Sequence, residues 1–106
     1  QPHRYTRLRD LFEEFAACFK DCDLVAIADV YAAGEAPIDG ISADALAAAM
    51  RKAGRGDAQR LESLDLLSDF VRANAKPGDI VVCLGAGDIT HYAHALPAKL
   101  AAAAAA

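Results

Sequence analysis

The chain has 106 residues, a formal net charge of -4 at pH 7, 55% hydrophobic residues and 25% charged residues. This length and composition are typical of one folded globular domain and exclude a disordered chain. The net negative charge also argues against a general nucleic-acid binder, because such proteins need a basic surface to displace counterions.

The sequence shows neither a secretory leader nor an apolar segment long enough to span a bilayer, so we expect no membrane contact. Its three cysteines lack disulfide-like spacing, which favours a reducing, cytoplasmic environment. We expect residues 1–100 to form the domain and Ala101–Ala106 to be an alanine tail of uncertain origin, with the end of a helix as one alternative. Because the chain starts abruptly at Gln1, we also expect a piece of a longer protein.

Near the N-terminus, apolar residues recur every three or four positions, which predicts one amphipathic helix with Thr6 as its N-cap. The members of this stripe are Leu8, Leu11, Phe12, Phe15, Cys18, Phe19 and Cys22. The run LVAIADVY (24–31) follows, and its nearly continuous apolar character predicts a strand buried on both faces, as in a parallel sheet.

Capping residues delimit the next two helices. Ser42 is the predicted N-cap of the second helix, and Gly54 follows its C-terminus. The third helix is predicted from Ser63 to about Ala75, where the Pro-Gly pair at 77–78 stops it.

Two further strands and a last helix complete the prediction. A short strand is expected at 58–62, and the run DIVVCLG (79–85) predicts a second buried strand. The motif GAGD (85–88) leads into a final helix that Pro97 interrupts or kinks.

This alternation predicts an α/β fold, a Rossmann-like three-layer domain with a mainly parallel sheet. In open parallel sheets, ligands bind beyond the carboxyl ends of the strands. Three motifs fall at that edge: HRYTR (3–7) before the first helix, YAAGEAPI (31–38) after the first strand, and GAGD after the last strand. We therefore expect the functional site at this edge.

The motif HRYTR predicts an anion site. Arg4, Arg7 and Arg9 crowd the start of a helix, where the helix dipole disfavours cations. Free N–H groups and guanidinium forks at such a position suit a carboxylate or phosphate, and Arg4 and Arg7 project from one side of the turn. The alternative is a solvated basic turn with surface ion pairs. Its acidic partners would be Asp10, Glu13 and Glu14.

The other two motifs contain weaker candidates. Tyr31 and Glu35 follow the first strand, and Glu35 is either a ligand group or plain loop surface. Gly85 and Gly87 allow close approach of a ligand, but the third glycine of a dinucleotide-binding fingerprint is missing. A glycine turn needed only for packing explains this pair equally well.

We expect no metal site in the chain. His91 and His94, with Cys18 and Cys22, have spacings that suit zinc. The two cysteines, however, fall on the apolar stripe of the first helix, where a buried small hydrophobe is the commoner role. The sequence also lacks the G-x-x-x-x-G-K-[ST] loop with which P-loop enzymes bind ATP.

Three stretches carry a resemblance to a known family. QPHRYTRLRDLF (1–12), DVYAAGEAPIDGISADAL (29–46) and PGDIVVCLGAGDI (77–89), in this order and spacing, resemble the C-terminal domain of the Mur ligases. The resemblance covers roughly residues 1–100, and its first two stretches point to the branch that adds L-alanine.

The resemblance implies an ATP-dependent, three-domain enzyme of peptidoglycan synthesis that joins L-alanine to UDP-N-acetylmuramate through an acyl phosphate. It implies that ATP and Mg2+ are bound mainly by a central P-loop domain and the UDP-sugar by an N-terminal domain, both absent from this chain. The isolated chain should therefore be inactive and contain no complete catalytic set.

The resemblance also places the amino-acid site at HRYTR. His3, Arg4 and Arg7 are the implied substrate-binding residues, with the arginines on the carboxylate of L-alanine. Tyr31, Glu35, Gly85 and Gly87 remain weaker candidates.

Two departures from the family pattern affect the fold. The strand that should precede Gln1 is missing, so the resemblance implies a sheet that is incomplete at its N-terminus. The region around residues 55–64 is also short. The alternative to a ligase domain is a non-catalytic α/β module that binds a phosphate or carboxylate through HRYTR and GAGD.

Overall fold

A computed structural model describes residues 1–105 of the chain. In chain order it contains α1 (Tyr5–Asp10), α2 (Phe12–Ala17), β1 (Ala26–Ala28), α3 (Ala43–Lys52), β2 (Gln59–Leu61), a 3-10 turn (Leu64–Leu66), α4 (Leu67–Asn74) and α5 (Ile89–Ala105).

The sheet confirms the predicted α/β class. β1 and β2 are parallel neighbours, with Ile27 opposite Arg60 and α3 in the crossover between the two strands. The predicted first strand at 24–31 is regular only over Ala26–Ala28. The short strand expected at 58–62 is confirmed as β2.

The core lies where α3 packs on both strands and α2 packs on α3. Met50, on α3, is completely buried, and Leu8 of α1 is 1% exposed. The buried residues of this core cluster are Leu8, Val25, Ile27, Ala43, Leu46, Ala47, Met50 and Ala58. Burial of these apolar side chains is the main force that holds the helices on the sheet.

Both ends of α3 follow the capping prediction. The Ser42 hydroxyl accepts a hydrogen bond from the Ala45 N–H at 3.0 Å, which satisfies one of the free N–H groups of the first turn. At the other end Gly54 has a φ of 110°, and the N–H of Arg55 donates to the carbonyl of Met50 at 2.9 Å. This pairing is the Schellman motif, which needs a left-handed residue such as glycine.

The first helix differs from its prediction. It is divided at Leu11 into α1 and α2, and Thr6 lies inside α1 instead of capping it. Leu8, Phe12 and Phe15 reach the core, whereas Leu11, at the division, is 42% exposed. Because α2 ends at Ala17, Cys18 is exposed and does not have the buried role expected of it.

The predicted strand at 79–85 is wrong for this structure. Those residues form no strand, and Ile80 and Val82 are 87% and 67% exposed. A strand requires a backbone partner along its length. Among the described residues, the amino group of Gln1 donates to the carbonyl of Leu84, near the carboxyl end of this run.

The C-terminal helices agree with the prediction more closely. The third predicted helix begins as a 3-10 turn capped by Ser63 and continues as α4 to Asn74. Pro97 lies within α5 but does not interrupt it, because the helix continues to Ala105 and so includes the first five residues of the expected alanine tail. Ala106, the last residue of the expected alanine tail, lies outside the described residues. No helix in the described part of the chain is both long and apolar enough to cross a bilayer.

Candidate functional site

The three motifs of the sheet edge meet at the first residues of the chain. The Tyr31 N–H donates to the carbonyl of Pro2, and the Arg4 N–H donates to the carbonyl of Tyr31, each at 2.8 Å. On the other side, the amino group of Gln1 donates to the carbonyl of Leu84 at 2.7 Å. The segment ahead of α1 is therefore held between the loop after β1 and the run that ends in GAGD.

The two glycines of GAGD allow close packing at this junction. A Cβ atom on Gly87 would lie 2.5 Å from Cγ of Tyr31, and one on Gly85 would lie 2.7 Å from the side chain of Ile89. The Gln1 side chain adds a link, because its amide donates to Asp88 at 2.6 Å. Close packing against the side chains of Tyr31 and Ile89 thus leaves little room for a Cβ atom at either position.

His3 and Tyr31 form one wall of the junction. Their rings are stacked with centroids 5.5 Å apart and an interplanar angle of 12°. Nδ1 of His3 is buried and has no hydrogen-bond partner within residues 1–105. The Tyr31 side chain remains 39% exposed.

Arg4 and Arg7 are exposed beside a shallow groove of about 490 Å3. The groove is lined by His3, Arg4, Thr6, Arg7, Asp10 and Leu11. Arg4 has a backbone φ of 70°, a conformation that non-glycine residues rarely adopt and that often marks functional sites.

Neither Arg4 nor Arg7 forms an ion pair with any residue in the range 1–105, whereas four other arginines each pair with a carboxylate. Arg9 bonds to Asp10 at 2.9 Å, and this bond raises the pKa of Arg9. The remaining pairs are Arg55 with Asp57, Arg60 with Asp29 and, at 3.8 Å, with Asp44, and Arg72 with Asp69. The ion pair expected from the solvated alternative is thus present at Arg9, whereas the exposed Arg4 and Arg7 have no such pair within residues 1–105.

Glu35 reaches the start of α1 from the loop after β1. Its carboxylate accepts a hydrogen bond from the Thr6 N–H at 3.1 Å and another from the Thr6 hydroxyl at 2.5 Å. These hydrogen bonds, with a smaller effect of the Arg4 charge, lower the pKa of Glu35. The partners lie 29 residues apart, and no local pattern in the sequence predicts their contact.

A second depression, of about 320 Å3, is lined in part by Tyr31 and lies at the carboxyl ends of β1 and β2. Asp29, in its wall, accepts two hydrogen bonds from Arg60 of β2 at 2.7 and 2.9 Å. These bonds lower the pKa of Asp29. Sequence reasoning missed this pair, although the parallel register places the two side chains diagonally across the strands.

The metal candidates of the sequence are not brought together. His91 and His94 are exposed on α5, and Cys18 and Cys22 follow α2. Within the described residues, no group of three or more His, Cys, Asp or Glu side chains could hold a metal ion.

The fold and the site together define an α/β domain with an arginine-lined groove at its sheet edge, and comparison with known proteins identifies the class. The profile described as "Mur ligase, glutamate ligase domain" matches residues 2–87. The chain belongs to the Mur ligase family.

The individual relatives indicate which branch of the family the chain resembles. The chain is 57% identical over 102 residues to the UDP-N-acetylmuramate–L-alanine ligase of Mesorhizobium japonicum and 58% identical over 100 residues to that of Chelativorans sp.. The ligase of Rhodospirillum centenum is 56% identical over 100 residues. These alignments cover 94–96% of this chain but only 21–22% of each relative. The chain thus spans about a fifth of the length of these proteins.

Proposed function

We propose that this chain is the C-terminal domain of a cytoplasmic UDP-N-acetylmuramate–L-alanine ligase, in which it binds L-alanine for peptidoglycan synthesis. The amide bond would form between L-alanine and UDP-N-acetylmuramate in the full-length protein. In that reaction the domain positions the amino acid, and such positioning lowers the barrier between two bound reactants.

The observation that supports the proposal is that Arg4 and Arg7 have no ion pair within residues 1–105. Both are exposed beside the groove, while Arg9, two positions from Arg7, is bonded to Asp10. Two guanidinium groups without internal partners suit a small carboxylate such as that of L-alanine. His3, stacked on Tyr31, would bound the groove beside them.

ATP and Mg2+ would be bound outside this chain. The residues present do not fit a magnesium site, because the described part contains no cluster of three potential metal ligands. The sequence also has no P-loop for the phosphates of ATP. We therefore assign no nucleotide or metal chemistry to these residues.

Replacing the two arginines in the full-length protein tests the site. A charged hydrogen bond contributes about 1.5–3 kcal/mol, so Arg4→Ala or Arg7→Ala should raise the KM for L-alanine roughly 10- to 100-fold. The KM for UDP-N-acetylmuramate should change little. Steady-state kinetics with each substrate varied in turn measures both effects.

Arg9→Ala is the matched control, because Arg9 lies on the same helix but is bonded to Asp10. It should leave the KM for L-alanine near the wild-type value. Wild-type kinetics in both Arg4→Ala and Arg7→Ala would refute the assignment. Tight binding of phosphate by the 106-residue chain alone would favour the non-catalytic module instead.

A further inference from the structure

One carboxylate reaches the start of α1 from a distant part of the chain. Glu35 accepts hydrogen bonds from both the N–H and the hydroxyl of Thr6. The first bond satisfies a free N–H of the helix, and the carboxylate places negative charge against the positive end of the helix dipole. The position at which an external anion would meet the N–H groups of α1 is therefore filled from within the chain.

The loop after β1, which carries Glu35, also binds the segment ahead of α1. The carbonyl of Tyr31 accepts the Arg4 N–H at 2.8 Å, and the Tyr31 ring stacks on His3. Arg4 thus lies between two attachments to one loop, Tyr31 on one side and the Thr6–Glu35 pair on the other. Its φ of 70° is a conformation that persists only where the surroundings hold it.

We propose that Glu35 is a positioning residue of the amino-acid site: by binding Thr6, its carboxylate fixes the turn that directs Arg4 and Arg7 into the groove. This inference rests on the proposed function and adds one specific feature. Because Glu35 occupies the N-terminus of α1, the carboxylate of L-alanine is bound by the guanidinium side chains and not by the N–H groups of the helix.

The competing role for Glu35 is direct contact with the substrate, for instance with its ammonium group. The two roles differ in what they require of Thr6. A positioning carboxylate acts through the N–H and the hydroxyl of Thr6, so removing the hydroxyl alone should give part of the effect of changing the carboxylate. A carboxylate that binds substrate directly acts independently of the Thr6 hydroxyl.

A double-mutant cycle in the full-length protein separates the two roles. Thr6→Val keeps the shape of the side chain but removes the hydroxyl, and Glu35→Gln keeps its size but removes the charge. If Glu35 positions the arginines, Glu35→Gln raises the KM for L-alanine about tenfold with little change in kcat. Thr6→Val raises it less, because the Thr6 N–H still bonds to Glu35, and the double variant is no worse than Glu35→Gln alone. Glu14→Gln, an exposed carboxylate on α2, is the control and should have no effect.

Two outcomes of the cycle would overturn the proposal. The first is a raised KM in Glu35→Gln with a normal KM in Thr6→Val, which is the pattern of a direct substrate contact. The second is a double variant whose effect is the product of the two single effects, because independent residues combine in that way.

Hydrogen exchange at the Thr6 amide provides a readout that does not depend on activity. In Glu35→Ala this amide loses its acceptor and should exchange roughly 2- to 10-fold faster. An unchanged exchange rate would overturn the proposal that Glu35 holds the start of α1. Faster exchange together with normal kinetics in Arg4→Ala and Arg7→Ala would show that Glu35 holds the start of α1 but would refute the amino-acid site. The two proposals can therefore fail separately.

Discussion

The arginines around α1 are a case in which residues of one type have different surroundings. The sequence predicts that Arg4, Arg7 and Arg9 need an anion, because the helix dipole is positive at that end. The structure provides Glu35 for the helix N-terminus and Asp10 for Arg9, and leaves Arg4 and Arg7 without an ion pair in the range 1–105. The dipole argument is wrong for Arg7 and Arg9, because α1 ends at Asp10 and both lie in its last turn, where the dipole favours cations. It applies only to Arg4, the N-cap, and Glu35 is too distant in sequence to be recognised as the anion that meets the helix N-terminus.

Gly87 is the residue at which the packing of the site is tightest. A Cβ atom there would lie 2.5 Å from the Tyr31 ring, so the ring must shift or the backbone must move. We expect Gly87→Ala to lower the free energy of unfolding by about 1–3 kcal/mol, as overpacking typically does. Chemical denaturation measures this change.

Gly56→Ala is the control for this substitution. A Cβ atom on Gly56 meets nothing within 4 Å, and its φ lies outside the left-handed region. Its stability should therefore be unchanged or slightly higher, since alanine restricts the unfolded chain. Equal losses in the two variants would show that the contact with Tyr31 is not the cause.

Among the elements, local signals predicted helix ends well and strand pairing poorly. Ser42 and Gly54 cap α3 as expected, because caps depend on residues within one turn of the helix end. The first helix is divided at Leu11, where the position of the core decides which apolar side chains turn inward. Strands depend on partners that are distant in sequence, so β1 is shorter than its apolar run.

The cap of α3 gives a prediction at this scale. Ser42→Ala removes the acceptor of the Ala45 N–H and should lower the free energy of unfolding by about 1 kcal/mol. Ser42→Asp keeps an acceptor at the same position and places a negative charge at the helix N-terminus, so it should retain most of the stability. Thermal unfolding of the two variants provides the comparison, and equal melting temperatures would contradict the capping role.

For the whole molecule, the run Ile80–Leu84 is the largest departure from prediction. Its residues have the composition of a buried strand, yet Ile80 and Val82 are the most exposed large apolar residues of the described chain. Among the described residues, the amino group of Gln1 donates to the carbonyl of Leu84, near the carboxyl end of the run. Apolar composition predicts burial, but only a neighbouring backbone can turn such a run into a strand.

The exposure of this run can be tested by substitution in the chain of 106 residues. Val82→Ser should change the free energy of unfolding by less than about 0.5 kcal/mol, as is usual for exposed positions. Val25→Ser, at a position only 8% exposed in the core, should be clearly destabilising, because it removes buried apolar surface and adds a hydroxyl. A large loss in Val82→Ser would show that this run is buried in solution.

By itself, the sequence determined the α/β class, the ends of α3, the arginine cluster and the family, because each of these follows from neighbouring residues or from ordered motifs. The tertiary structure alone decided which arginines are paired, which carboxylate meets α1 and which apolar run forms a strand. These outcomes depend on contacts between residues that are far apart in the chain, such as Thr6 with Glu35 and Asp29 with Arg60. Such contacts form only when the core brings the elements together.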